Sequence, residues 1–301
     1  MVVAIVVTFF PDIEILHTLL EQLNKQVTSI VVVDNCSGSA LTEYFDRVDQ
    51  YNFHKKLTFI PLSENTGIAA AQNKGIECAK QRFASDVILF DQDSIPSDVM
   101  VKNLLLAKEL LISQGKKVAA LGPRYLDIRQ NNPPPFIRIE GLRLIRCTCN
   151  EENGIIPVDY LIASGCLIPI EVLNVVGVME EQLFIDYVDI EWGLRAKTMG
   201  FQSYGACLAK MNHSLGEQPI IFMGKHIPLH SALRHYYHFR NAVWLYRQPW
   251  VKTNWKFVDG FRLVLKYIFY SIFAKPRGSQ FKMMSLGIMH GLTKKMGKYK
   301  G

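Results

Sequence analysis

At 301 residues, with 49% apolar side chains and a formal net charge of +7, the chain can bury a large core, which excludes a disordered or fibrous protein and predicts an α/β domain with an appendage. The charge is unevenly spread: residues 1–224 hold 19 basic and 26 acidic residues, a balance of −7, whereas residues 225–301 hold 15 basic residues and one acidic residue, Asp259, a balance of +14. The basic end points to a polyanion or an anionic membrane surface as partner, or else to a solvated basic face.

Taken in chain order, short Val- and Ile-rich runs alternate with amphipathic segments. Residues 2–9 (VVAIVVTF) predict a strand, and residues 13–26 a helix with Ile15, Leu16, Leu19, Leu20 and Leu23 on one face. Strands follow at 29–35 and 57–62, with helices near 40–51 and 68–82. Residues 86–90 (DVILF) form a fourth strand, 98–115 a helix and 118–122 a fifth strand. This alternation builds a mostly parallel sheet with helices on both faces, and ligands gather at the carboxyl ends of its strands. Residues 123–156, with NNPPPF at 131–136, show little periodicity and predict an irregular excursion. A second structured part contains DYLIASGCLIP (159–169), an apolar segment at 170–178, the acidic FIDYVDIEWGLRAKTMGF (184–201) and a strand at 203–211.

The six cysteines, Cys36, Cys78, Cys147, Cys149, Cys166 and Cys207, show no paired C-x-x-C spacing, and no hydrophobic leader precedes the first strand. A reducing cytoplasm is the expected home, and the C-x-C pair at 147–149 lacks partners for a zinc finger. The run at 263–274 contains Lys266 and falls short of the ~20 residues that cross a bilayer.

The chemistry concentrates at the strand ends. No G-x-G-x-x-G or Walker loop occurs, which argues against a dinucleotide dehydrogenase or a P-loop nucleotidase. In FDQDS, Asp91 and Asp93 share a face if the strand stays extended, and paired carboxylates at such a rim suit Mg²⁺ or Mn²⁺, which would neutralise a diphosphate. The alternative is a capping cluster for the following helix, with Ser94, Ser97 or Asp98 as the cap. A base pocket, a metal and a general base all have candidates in the order a nucleotide-sugar transferase needs.

Seven segments in order, VVTFFPD (6–12), VVVDNCS (31–37), ENTGIAAAQNKGI (64–76), DQDS (91–94), SGCLIP (164–169), DYVDIEWGLR (186–195) and HSLGE (213–217), make the chain resemble a family 2 inverting glycosyltransferase of the GT-A fold, and more narrowly the bacterial rhamnosyltransferases of surface-polysaccharide assembly. The resemblance covers residues 1 to about 245 and implies a GT-A catalytic domain over 1–224. Its nucleotide half would be about 1–122 and its acceptor half about 157–224, followed by a helical basic extension over 225–301.

By that resemblance Thr8 and Pro11 wrap the nucleotide and Asp34 accepts the pyrimidine N3 hydrogen, although Asp34 could equally end its strand in an Asx turn. Asn65 and Gly67 fall near the nucleotide, where a glycine allows close backbone approach, and Asn73 supports them from the next helix. Asp93 is the implied direct metal ligand, Asp91 contacts the donor's ribose or sugar and can share the metal, and His213 is a further metal or diphosphate contact or a structural histidine. Aligned on the family's acidic motif, the catalytic base falls on Asp189; Val188 stands where the family usually has Glu, and Asp186 is the second candidate. A helix N-terminus enriched in acids accounts for one of Asp186, Asp189 and Glu191 but poorly for all three.

In the extension, LRHYYHFRNAVWLYRQPW (233–250) predicts a helix ended by Pro249, with Arg234 and Arg240 aimed at the donor phosphates or lying on a plain surface. Beyond it, Trp250, Trp255, Phe257, Phe261, Leu265, Ile268, Phe269 and Phe273 mix with Lys252, Lys256, Arg262, Lys266 and Lys275. That pattern fits a helix lying on anionic lipid, or a stripe packed on the catalytic domain or another subunit.

The expected activity is metal-assisted transfer of a sugar, L-rhamnose from dTDP-L-rhamnose, to a growing surface glycan carried on polyprenyl diphosphate, by an enzyme peripheral on the inner face of the cytoplasmic membrane. Nucleic acid is not an expected partner. Two other readings stay open at this point. A nucleotidyltransferase would want a glycine- and basic-rich first loop that TFFPD lacks, and a non-catalytic adaptor using only the basic end would leave the carboxylates idle.

Overall fold

The computed structural model describes residues 1–48, 56–126, 135–213, 220–222, 225–227 and 229–301; residues 48, 126, 213, 220–222 and 225–227 are described by backbone alone. Strands β1 (Val2–Thr8), β2 (Ser29–Asp34), β3 (Leu57–Pro61) and β4 (Asp86–Asp91) pair in parallel in the order β3-β2-β1-β4. Beyond β4 the short β10 (Leu167–Pro169) inserts antiparallel, followed by β6 (Val118–Leu126), then β11 (Gln202–His213), parallel to β6, and β5 (Ser94–Pro96) at the far edge.

β1 shows why the apolar runs are unbroken. Val3, Ile5 and Val7 enter one core and Val2, Ala4 and Val6 the other, because alternate residues face opposite sides of a sheet covered on both. On one side pack α1 (Ile13–Gln26) and α4 (Met100–Ser113); on the other pack α3 (Ile68–Gln81), α5 (Ile170–Val176) and α6 (Val188–Thr198). α1 starts where Asp12 accepts from Glu14 N at 3.0 Å and Ile15 N at 3.2 Å, and it buries Leu16, Leu19, Leu20 and Leu23. Ile15, expected on that face, is exposed. α2 (Ser39–Val48) fills the predicted position as far as the described residues reach.

Two expectations need correction. The excursion at 123–156 carries regular structure: β6 runs on to Leu126, β7 (Phe136–Glu140) and β8 (Arg143–Cys147) form a hairpin, and β9 (Ile155–Val158) adds antiparallel to β11. β7 to β9 are only four or five residues long, too short for periodicity to stand out. Residues 131–134 of the proline run lie outside the described residues. Second, Cys149 is joined to Cys207, tying the chain after β8 to β11 across 58 residues of sequence. A pairing that distant cannot be read from spacing, and it removes Cys149 from any C-x-C metal pair; Cys147 is a free thiol.

The C-terminal helices are α7 (Ala232–Tyr246), capped by Ser231, α8 (Thr253–Phe273) and α9 (Arg277–Thr293). α7 stops three residues before Pro249. α9 lies directly on α7 because Gly287 and Gly291, four residues apart, leave room: a Cβ at either would stand 2.4 Å from Tyr236 O or 2.6 Å from Arg240 O. Phe239, Leu245, Trp255 and Leu263 close a third core with Tyr187 and Leu194, which fixes the extension against the start of α6. Among the described residues no helix is long and apolar enough to cross a membrane.

Candidate active site

The carboxyl ends of β1 to β4 and the N-terminal end of α6 enclose one open cavity of about 720 Å³. Thr8, Asn65, Gly67, Asp91 and Asp93 line the strand side, and Asp186, Asp189 and Arg234 line the opposite wall. The carboxylates that stand 98 residues apart in sequence, Asp91 and Asp189, thus share one space.

The strand side is stitched together by amides. Gln92 Oε1 accepts from Phe9 N at 2.7 Å and its Nε2 donates to Phe9 O at 3.2 Å, which joins the loops leaving β1 and β4. Asn35 accepts from Thr66 N at 2.8 Å and donates to Asn65 Oδ1 at 3.0 Å, while Gly67 N donates to the same Asn65 oxygen at 3.0 Å. From sequence, Asn35 is legible only as a residue at the end of the second strand, and Gln92 is not singled out. Their signal was an amide at the end of an apolar strand, which resembles an ordinary turn residue.

Asp34 sits behind this wall, 2% exposed, accepting from Thr8 Oγ1 at 2.9 Å, from Ser37 N at 2.7 Å and from the Ser37 hydroxyl. The local turn role that competed with a base-binding role is therefore filled, by a bond from the main-chain N–H three residues on rather than the two of an Asx turn. Pro11 lies outside the cavity lining. Asn73 also points away: its amide donates to Met179 O and Glu181 Oε1, each at 2.9 Å, and its oxygen accepts from Met179 N at 2.9 Å. Asn73 thereby braces the 3₁₀ turn Glu181–Leu183 that precedes the acidic wall.

That wall is held in an unfavourable backbone. Phe184, Asp186 and Tyr187 have φ of 66°, 62° and 64°, positive values costing on the order of 1 kcal/mol or more each for residues with a Cβ. Asn241, fully buried, donates to the carbonyls of Leu183 at 2.8 Å, Ile185 at 2.7 Å and Asp186 at 2.9 Å. Arg240, also fully buried, donates to Gln182 O at 3.2 Å, Leu183 O at 2.9 Å and Gly297 O at 2.5 Å. The expectation that Arg240 faces the donor phosphates is therefore corrected: its guanidinium is used up on main-chain carbonyls. Gly67 is likewise needed for the protein's own packing. At φ +90° it lets Ile68 N donate to Phe184 O at 2.7 Å, and a Cβ there would stand 2.5 Å from that oxygen.

The three acids of the α6 region separate cleanly. Glu191 is buried and gripped by Arg195 Nε at 2.7 Å and Nη2 at 2.9 Å, so both are structural. Asp186 pairs with Arg234 at 3.3 Å at the cavity edge. Asp189 is pushed up to about 6, chiefly by burial and further by the charges of Asp186 and Asp91, against the opposing hydrogen bond from Ile190 N. A carboxylate tuned to that range is largely ionised at neutral pH and more basic than a free aspartate, as a general base requires. Trp192 is core, its Nε1 bonded to Gly177 O at 2.9 Å. Tyr187 is buried with its hydroxyl donating to Asp259 at 2.8 Å.

Among the described residues no group of three His, Cys, Asp or Glu side chains could hold a metal unaided. Asp91 and Asp93 still fit a hard cation, since Mg²⁺ is commonly held by one or two carboxylates and completed by substrate phosphates and water. The His213 backbone pairs with Ser94 beside this pair, and its side chain, like the rest of HSLGE, lies outside the described residues.

Residues 4–151 match the family model described as glycosyl transferase family 2. The chain is 34% identical over 247 residues to the dTDP-rhamnosyl transferase RfbF of Shigella flexneri, covering 81% of this chain and 79% of that one. The chain belongs to glycosyl transferase family 2. This glycosyltransferase is also 22% identical over 220 residues to the low-salt glycan biosynthesis hexosyltransferase Agl10 of Haloferax volcanii, covering 71% of this chain and 66% of that one. Solved structures agree on the GT-A fold. S. aureus TarS 1-349 in complex with UDP-GlcNAc superposes with TM-score 0.61 at 15% identity, covering 98% of this chain and 82% of that one. GalNAc-T7 with UDP, GalNAc and Mn²⁺ superposes with TM-score 0.65 at 13% identity, the match covering 98% of this chain but only 57% of that one. The expected family, fold and enzyme class are thereby borne out.

Proposed function

We propose that this glycosyltransferase transfers L-rhamnose from dTDP-L-rhamnose, with inversion, to a hydroxyl of a growing polyprenyl-diphosphate-linked surface polysaccharide. The observation that carries the reading is the convergence of Asp91, Asp93 and Asp189 on one cavity. The likeness to the Shigella dTDP-rhamnosyl transferase over four fifths of the chain supports the donor.

In this reading Thr8, Asn65 and Gly67 border the nucleotide. Asp189 takes the proton of the acceptor hydroxyl as that oxygen attacks the anomeric carbon from the face opposite the leaving group. One C–O bond forms, the bond from the anomeric carbon to the diphosphate oxygen breaks, and dTDP departs with the electron pair. Asp93 and Asp91, with His213, would hold the Mg²⁺ or Mn²⁺ whose charge offsets that of the diphosphate. The Mn²⁺ bound by GalNAc-T7 supports a metal of this kind. Arg234, a cation of the extension on the cavity wall beside Asp186, would meet a phosphate of the donor in this reading.

The acceptor's lipid carrier accounts for the outer face of α8. Phe257, Phe261, Val264, Leu265, Ile268 and Ile272 are exposed on a helix whose segment carries fourteen more positive than negative charges, the combination that seats a helix on anionic lipid. The enzyme would then work at the inner face of the cytoplasmic membrane.

The test is a thermal-shift panel of dTDP-L-rhamnose, dTDP-glucose, UDP-glucose and UDP-GlcNAc with and without Mn²⁺, followed by turnover and the anomeric configuration of the product. Stabilisation by dTDP-L-rhamnose above the others and an inverted product are expected. A stronger response to a UDP-sugar would overturn the donor, and a retained configuration the mechanism.

A further inference from the structure

The cavity wall contains a histidine whose ring is fixed by a lysine of the C-terminal extension. Lys266 of α8 reaches inward, and its Nζ stands 3.0 Å from Nε2 of His238 on α7. An ammonium offers only donors, so Nε2 accepts and the single ring proton sits on Nδ1. Burial, followed by the charges of Lys266, His235, His230 and Arg234, keeps His238 well below the usual histidine range, so the ring is neutral. Burial also lowers the Lys266 pKa, opposed by Asp259 and Asp186.

Among the described residues nothing accepts from Nδ1, and the ring is part of the cavity lining. It packs edge-on against Tyr187, with ring centroids 5.0 Å apart, and Tyr187 stands two residues ahead of Asp189. This is the wall opposite the strand ends assigned to the nucleotide. A neutral N–H locked in one tautomer can only donate, so its partner must bring a lone pair, and a sugar hydroxyl or ring oxygen supplies one. Sinking a lysine behind a cavity histidine merely to fill space would be costly, since an apolar side chain fills it without desolvating a charge.

We propose that His238, held as the Nδ1–H tautomer by Lys266, hydrogen-bonds an oxygen of the acceptor sugar and so selects which hydroxyl meets Asp189. His238 is then a specificity residue and Lys266 a positioning residue acting through it. The inference rests on the reading that the acceptor lies against the α6 wall; it does not depend on which nucleotide sugar is the donor.

Two readouts test it. Histidine ¹⁵N shifts of the substrate-free protein report the tautomer without reference to activity. The wild type should show Nε2 unprotonated, Lys266→Met should restore the ordinary mixture of tautomers, and Lys266→Arg should keep the lock. Methyl pyranosides of rhamnose, glucose, galactose and N-acetylglucosamine are then titrated, and at least one should move the Nδ1 signal. With that glycoside as acceptor, His238→Phe should raise its KM about tenfold, the loss of roughly one hydrogen bond, with the donor KM within about twofold. His238→Asn, whose amide can place an N–H near the same point, should recover most of the loss. A protonated Nε2 in the wild type, no Nδ1 response to any glycoside, or an equal rise in donor KM would overturn the proposal. A correct tautomer and acceptor response with a donor other than dTDP-L-rhamnose would overturn only the donor assignment.

Discussion

Asn241→Ala removes a single amide, yet the structure places most of the acidic wall's restraint on it. The amide serves three carbonyls, of which Leu183 O keeps Arg240 as a second donor at 2.9 Å. The carbonyls of Ile185 and Asp186 lose the donor that the fold supplies; both residues are half-buried at the cavity, so about 1–3 kcal/mol each, the cost for a fully buried group left unpaired, is the upper bound. Asp186 and Tyr187 meanwhile hold positive φ values that relaxation would relieve. A loss of about 2–4 kcal/mol is survivable within a typical stability of about 5–15 kcal/mol, and for a chain of 301 residues a melting point lower by roughly 3–6 °C is expected. Because Asp189 follows directly on this turn, its carboxylate should shift, and a misplacement near 1 Å costs about 100-fold in turnover. Nucleotide binding should be unchanged, since Thr8, Asn65 and Gln92 are tied to the strand ends by other bonds. The assay pairs calorimetry with donor binding and steady-state turnover. A variant that melts lower but keeps wild-type kcat would refute the claim that this amide positions the base.

Three further outcomes follow from the same geometry. Asp189 must be ionised to accept a proton, so kcat/KM should be present above its raised pKa of about 6 and fall as pH drops through it; Asp186→Asn removes a neighbouring charge and should move that limb to lower pH. A pH–rate profile with no limb near 6 in the wild type contradicts this. Gly67→Ala meets Phe184 O at 2.5 Å and a φ of +90°, so it should lower the melting point by several degrees and weaken turnover, readable by calorimetry. Phe257→Ser with Phe261→Ser, at positions 67% and 66% exposed, should abolish sedimentation with phosphatidylglycerol vesicles and leave the fold's melting point unchanged; undiminished sedimentation removes α8 as the membrane face. Point changes suit this test better than truncation at residue 250, which would strip Gly297 O from buried Arg240.

The parallel half of the fold was legible because its strands are buried on both faces and read as unbroken apolar runs, with helices between them that keep a clear period. The second half was less so. β10 contributes three residues to the centre of the sheet, and β7 to β9 are strands of only four or five residues, so neither gave a periodic signal. Within the site, residues at strand ends could be named from sequence because the topology brings those ends together. Asp189 and Asp186 needed the family resemblance, since nothing local joins them to Asp91. The role of Arg240 was misread, and the packing role of Gly67 beside its place in the cavity was not seen, for one reason: whether an arginine faces ligand or carbonyl, and what a glycine packs against, depends on segments over a hundred residues away in sequence for Gly67 and 57 residues away for the Arg240 contacts to Leu183 and Gly297. His238 and Lys266 escaped notice because the lysine looked like one more charge on a basic amphipathic helix.

The most direct test of the account is turnover by Asp189→Asn, measured with dTDP-L-rhamnose and Mn²⁺ beside a thermal-shift titration of dTDP. The account predicts a fall of about 10³-fold or more in kcat with dTDP affinity and fold unaltered, as removal of a general base should give. Turnover within tenfold of the wild type would place the proton-accepting group elsewhere and contradict the central claim.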